Sequence, residues 1–204
     1  MLALTGMMVA AISQASEIPV AEDTTATAGS DSNSGSLPYI AVSKREVGFL
    51  GFDLSTLPPG TTAANVHQAH IKLFFRSSAG SGTVSVVPVT GAWTEDGLTG
   101  KNTPTTGASI STIDPTDMRD FTTLTVDVTS LVKAWLTTPA SNLGIALKTS
   151  DPNLRVQIDS KENVLTGHAA SLDITLAANG PAGPVGPVGP PAPQARWGLP
   201  GPQV

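Results

Sequence analysis

The chain has 204 residues, of which 13% are charged and 4% aromatic, with a net charge of −5 and no cysteine. Its lysines and arginines are scattered singly, so it lacks the basic stripe that neutralises phosphates, and nucleic acid is excluded as a partner. The missing cysteines exclude thiolate zinc sites, cysteine nucleophiles and disulfide scaffolds; a domain of about 160 residues can bury roughly 70% of its unfolded surface without such staples.

Residues 2–12 form an apolar run too short to span a bilayer, followed by Ser13-Gln14-Ala15, which are small at the positions where signal peptidase cuts. Residues 1–16 therefore read as a signal peptide, truncated because no basic segment precedes the apolar run, and imply export with no membrane span. From Glu17 to Ser36 the chain is mostly Ser, Thr, Ala, Asp and Gly, which leaves room for only a short strand near Asp23-Thr24-Thr25 and places the start of the core later. Val47 to Phe52 is a compact apolar run closed by Leu57-Pro58-Pro59-Gly60, a strand ended by a turn. Ala69, Ile71, Leu73 and Phe75 alternate with His70, Lys72 and Phe74, the period-two pattern of a half-buried strand. Similar strands are predicted at 84–89, 124–128, 145–147, 154–158 and 172–176. Between them, apolar residues at 128, 131, 132, 135 and 136 share one helical face, with Asp127 available as a cap and Pro139 as a stop. Closely spaced strands with one short helix predict an all-β antiparallel sandwich of jelly-roll type over residues 17–178.

Residues 179–204 have a different rhythm. Glycine recurs at 180, 183, 186 and 189 and returns in frame at 198 and 201. Only glycine fits the axis of a collagen triple helix, and the interleaved prolines pre-set a polyproline II backbone, so the segment reads as a collagen-like tail. Ala192 and Ala195 break the frame. With four uninterrupted triplets, the expected state of this piece is a single extended, proline-stiffened strand. The sequence stops mid-repeat, and a longer repeat would favour a homotrimer.

Candidate chemistry is sparse. His67, His70 and His168 are too few and too dispersed for a metal site; on a strand, His67 and His70 point to opposite faces and read as surface residues. No nucleophile elbow, phosphate loop or dinucleotide fingerprint occurs, so no cofactor is expected. Paired carboxylates are the one route to a hydrolase, and Glu95-Asp96 and Asp159 with Glu162 are the candidate pairs. Both pairs fall at predicted turns or strand ends, where acids are routinely solvated or bonded to local backbone, which argues against catalysis. Loop carboxylates such as Asp23 or Asp53 would suit a structural calcium ion, although no EF-hand spacing is present. For a glycan, the residues facing away from the apolar rows are Lys72, Phe74, Lys148, Arg155 and Gln157, and the cations among them would suit acidic sugars. Trp93 and Trp135 are expected to be buried, which leaves Tyr39 and Phe74 as stacking rings. An ordinary solvated sheet face is the competing reading of each polar residue, and Phe74 fits it least.

Val47 to Gly60, Ala69 to Phe75, Trp93-Thr94-Glu95, Asn102-Thr103-Pro104, Asp127 to Trp135, Asn142 to Lys148 and Ser160 to Asn163 form an ordered series of motifs. Over about residues 22 to 178 that series resembles the DNRLRE-domain family, extracellular bacterial and archaeal modules similar to jelly-roll carbohydrate-binding modules. The six-letter signature that names that family is absent, and Thr99-Gly100 replaces the aromatic expected after Trp93-Thr94-Glu95. The resemblance implies export, a jelly roll and an extracellular or cell-wall polysaccharide as partner, without fixing the residues that face the sugar. Three readings follow: a non-catalytic binding or adhesion module displayed on a collagen-like stalk, a structural cap that trimerises such a stalk, and a hydrolase using the paired carboxylates.

Overall fold

The computed structural model describes residues 14–114 and 119–177; the apolar leader at 2–12 and the glycine-repeat tail lie outside the described residues. The strands are β1 (Gln14–Thr27), β2 (Tyr39–Ser43), β3 (Glu46–Phe52), β4 (Val66–Ala79), β5 (Val84–Pro88), β6 (Ser111–Ile113), β7 (Thr122–Asp127), β8 (Ile145–Lys148), β9 (Arg155–Asp159) and β10 (Ser171–Leu176). One α-helix, α1 (Thr129–Thr137), lies between β7 and β8. Every ladder between these strands is antiparallel. The pairings run from β1 through β10, β4, β9, β2 and β3 and return to β1, while β7 adds to β4 and β8, β5 and β6 extend outward from β3. The fold is thus mostly strand, sheet-based and sandwich-like, with a single helix.

Two long strands make the circuit close. The first half of β1 pairs with β10, and after an irregularity between Val20 and Glu22 the second half pairs with β3. In β4 an irregularity between Phe75 and Ser77 marks where pairing with β9 begins. A bulge lets one strand bend and change neighbours, which is how sheets turn corners.

Alternation sorts the side chains into two clusters. Leu50, Leu147 and Val86 point into the main core with Ile40, Ile71, Phe75, Ile158 and Trp135. Their sequence neighbours Phe49, Ala146 and Val87 point the other way, into a second cluster with Ala26, Val89 and Leu98, against which Trp93 packs. Strands β3, β5 and β8 are therefore covered on both faces, the outer one by the connection between β5 and β6. This is why Val47 to Phe52 reads as a continuous apolar run instead of an alternating one.

Helix α1 buries Val132 and Trp135. Asp127 lies one residue before its formal cap, but its Oδ1 accepts the Thr129 N–H at 2.8 Å, and Pro139 opens a separate 3-10 turn, Pro139–Ser141. The expected short strand near Asp23 is instead the 14-residue β1, so the core begins at Ile18 and not at Val47. Its second half buries Asp23, Thr24 and Thr25. Composition hides such a strand because hydrogen bonds, not apolar area, accommodate it: the Thr25 hydroxyl accepts the Ala41 N–H at 2.8 Å, and Asp23 accepts the Lys161 N–H at 2.8 Å.

Candidate functional site

The residues expected to face a sugar fall on different parts of the surface. Lys72 and Phe74 lie on β4 and Gln157 on the adjoining β9, whereas Lys148 lies on β8, which pairs with β3 and β5. Lys72 is 2.6 Å from Asp173 and 3.6 Å from Glu17, and the Asp173 hydrogen bond raises its pKa further. Phe74 stacks on His168 with ring centroids 4.1 Å apart. Lys148 donates to the Thr106 hydroxyl at 3.0 Å, Gln157 accepts from the Ser77 hydroxyl at 3.5 Å, and Arg155 is exposed at the start of β9. Tyr39 lies beneath the Arg76 guanidinium, 5.8 Å from ring centroid to Cζ.

The carboxylates are paired differently from the sequence expectation. Glu95 and Glu162, 67 positions apart in sequence, both contact the Lys161 ammonium, Glu95 at 2.6 Å. Asp96 is exposed, while Asp159 is fully buried and accepts from Asn163 at 2.8 Å and Thr166 at 2.5 Å, with Arg76 3.4 Å away. The acids expected to be solvated at turns therefore hold the structure together: the β9–β10 connection carrying Lys161 and Glu162 is tied to β1 through Asp23 and to the β5–β6 connection through Glu95. Asn33 closes the same junction by donating to the backbone carbonyls of Glu95 at 2.5 Å and Leu98 at 2.8 Å.

Within this junction Asp23 is 1% exposed, and burial is the main cause that pushes its pKa from 3.8 up to about 7, with the Glu162 carboxylate adding to the effect. For Lys161, burial works against the charge, but hydrogen bonds and attraction from Glu162 and Glu95 outweigh it and raise its pKa. Burial likewise disfavours the Glu162 carboxylate, yet Lys161 and Ser160 hold its pKa below the usual value. Burial thus favours the neutral form of Asp23, while the lysine favours the charged form of Glu162.

Trp93, expected to be buried, is only partly so and walls two clefts. Its Nε1–H donates to the Leu143 carbonyl at 2.8 Å, and its ring tilts 52° against Phe49 at 5.6 Å between centroids. These contacts fix the indole without covering it. One cleft, of about 210 Å³, lies where β1 bulges and β3 ends, and includes Glu22, Gly51, Asp53 and Asn142. A β-carbon on Gly51 would lie 3.6 Å from Trp93 Cζ2 and 3.5 Å from Glu22 Cβ, so the glycine leaves this floor open. The second cleft, of about 320 Å³, lies among Ala92, Thr94, Gly97, Leu98 and Asn102. Gly100 stands where an aromatic was expected: a β-carbon there would overlap the Thr27 carbonyl oxygen, so the loop's close approach to β1 leaves no space for a ring.

His67 is exposed beside the irregularity where β4 meets the end of β10, and His70 pairs across the ladders with Asp127 and Asp173. Among the described residues, no group of three or more His, Asp or Glu side chains is placed to hold a metal ion. No described helix is long and apolar enough to cross a membrane.

The family model for carbohydrate-binding module family 96 matches residues 14–175, from the start of β1 into β10. The chain belongs to carbohydrate-binding module family 96. No curated protein matches it. In this family 96 module the sequence pointed to Glu95 and Glu162 as notable acids but not to their common partner Lys161. It gave no sign of Glu22 and marked Asn142 only as the first residue of the motif running to Lys148, because only the bulge in β1 and the 142–144 approach to β3 bring these two beside Trp93.

Proposed function

We propose that this chain is a non-catalytic polysaccharide-binding module that acts outside the cell. Its strands form a jelly roll, and the Gly-x-y segment serves as the stalk that displays it. The observation that carries this reading is the family 96 match over residues 14–175. The ordered motifs similar to DNRLRE domains point the same way. The carboxylates support it as well: Glu95 and Glu162 are engaged with Lys161, and Asp159 with Asn163, Thr166 and Arg76, so neither candidate pair offers two free acids across a cleft.

Affinity electrophoresis of the full chain through gels containing single polysaccharides tests the reading. Retardation by at least one polysaccharide is expected, with no new reducing ends released from it. Unchanged mobility in every gel contradicts binding, and release of reducing ends that Glu95→Gln or Glu162→Gln abolishes contradicts the non-catalytic assignment.

A further inference from the structure

The junction around Lys161 ties together segments that are distant in sequence. The Lys161 N–H donates to Asp23 Oδ2 at 2.8 Å, and the ammonium lies 2.6 Å from Glu95 Oε1 and against the Glu162 carboxylate. The Asp23 N–H donates to Glu95 Oε2 and the Glu95 N–H to Glu22 Oε1, each at 3.4 Å. Glu95 itself sits in a turn closed by the Gly97 and Leu98 N–H groups, which donate to the Thr94 carbonyl. On one side of that turn Leu98 is buried in the second cluster, and on the other Trp93 is pinned through its indole N–H to Leu143. Thr94 to Gly97 is thus a short span between two fixed points. Asn33 and Asn102 bond its backbone carbonyls, and the Glu95 carboxylate supplies its charged tie to the junction.

Four carboxylates, those of Glu22, Asp23, Glu95 and Glu162, meet one ammonium here. Asp23 is buried, and the side chains of Glu95 and Glu162 are only 15% and 24% exposed, so water screens them poorly. Across the ladder Asp23 faces Leu50, which brings no charge. Asp23 and Glu162 are within hydrogen-bonding reach of each other, and that bond requires a proton on one of them. Glu162 Oε2 is buried without a hydrogen-bond partner among the described residues, and a protonated Asp23 is the donor at hand. With Asp23 neutral, Lys161 is shared by Glu95 and Glu162. With Asp23 ionised, a third carboxylate competes for the lysine and repels the other two. Asp23 is fixed in β1 by its pairing with β3, and Glu162 follows Lys161 in the chain. Glu95 stands on a connection instead of a strand, so it is the acid that yields.

We infer that this junction is a proton-operated latch on the Thr94–Gly97 turn: while Asp23 carries a proton, Lys161 holds Glu95 and the turn against β1, and loss of that proton moves Glu95 off the lysine and shifts the turn. Thr94 and Gly97 line the cleft of about 320 Å³ beside Trp93, so the outline of that cleft follows the state of the latch. Burial pushes the Asp23 pKa up to about 7, which brings the change close to neutral pH. The latch requires no ligand, so it stands or falls independently of the carbohydrate-binding reading.

Nitrogen–proton NMR spectra of the full chain, recorded from pH 5 to pH 9, test it. The amide signals of Glu95 and Gly97 are expected to shift along one titration curve with those of Asp23 and Lys161, with a midpoint of about 7. That curve is expected to vanish from all four signals in Asp23→Asn, which cannot ionise. A second variant, Glu95→Gln, keeps the shape of the side chain and removes the charge on which the latch acts. It is expected to leave the titration of the Lys161 amide in place and to remove that of Gly97. A titration of Asp23 and Lys161 that Glu95 and Gly97 do not follow overturns the latch, because the proton is then felt only locally. A Gly97 curve that persists in either variant overturns it too, as does a parent spectrum in which none of the four amides titrates.

Discussion

Asp23 holds a proton inside the module that the unfolded chain would release. Its pKa is about 7 when folded against 3.8 otherwise, so its contribution to stability is fully present below about pH 4 and lost as pH climbs to about 7. Glu162 acts in the opposite direction: its lowered pKa stabilises above its unfolded value of 4.5, and that contribution disappears on acidification. Asp23→Asn mimics the protonated form and keeps an acceptor for the Lys161 N–H. Its melting temperature relative to the parent is expected to improve from pH 5 to about pH 7 and then to level off; a difference that stays constant from pH 5 to pH 7, or that turns against the variant, contradicts the raised pKa of Asp23. Lys161→Met leaves Glu95 and Glu162 without their cation. With the lysine side chain 29% exposed, the loss falls between that of an exposed pair and the 3–5 kcal/mol or so of a broken buried one, at about 2 kcal/mol, and urea denaturation measures it. None of this was visible in sequence, because an acid's burial and its partner are set by which distant loops meet, and Glu95 and Lys161 come from different connections.

At the scale of elements, legibility followed the apolar pattern. Strands β3, β4, β5, β7, β8, β9 and β10 were all marked by apolar residues, and α1 by its helical face around Trp135. Tyr39–Ser43 escaped notice because it is short and follows a Ser- and Gly-rich stretch, and Ser111–Ile113 because only Ile113 is buried. The full length of β1 escaped because polar side chains occupy buried positions there. Trp135, 1% exposed on α1, anchors the helix to the core, and Trp135→Ala is expected to cost about 3–5 kcal/mol by chemical denaturation. Gly144 shows a different constraint. Its φ is +78°, and a β-carbon would overlap the Leu50 carbonyl oxygen. Gly144→Ala is thus expected to destabilise by about 1–3 kcal/mol and to shift the neighbouring Asn142 and Leu143, which border the cleft between Trp93 and Asp53. A melting temperature equal to the parent's contradicts that close approach.

Over the whole molecule, β3, β5 and β8 are sealed on the inside by the main core and on the outside by the connection that carries Trp93 and Leu98. A loop fixed in this way on a rigid sheet can present a binding groove without ordering itself first, which lowers the cost of capturing a flexible polymer. The same connection is where sequence reading stopped short: Trp93 was expected to be buried, whereas its indole, held by the Leu143 carbonyl and Phe49, is only partly covered. If the Gly-x-y segment of this chain is a single-stranded stalk, sedimentation equilibrium will return the 20.7 kDa monomer; a trimer would favour the capping role instead. The most direct test of carbohydrate binding is a nitrogen–proton NMR titration of the full chain with the polysaccharide fragment that binds best. The expected result is a shift of a contiguous set of signals on one face of the module, with the remaining signals left in place. A spectrum unchanged by every glycan at millimolar concentration would contradict it.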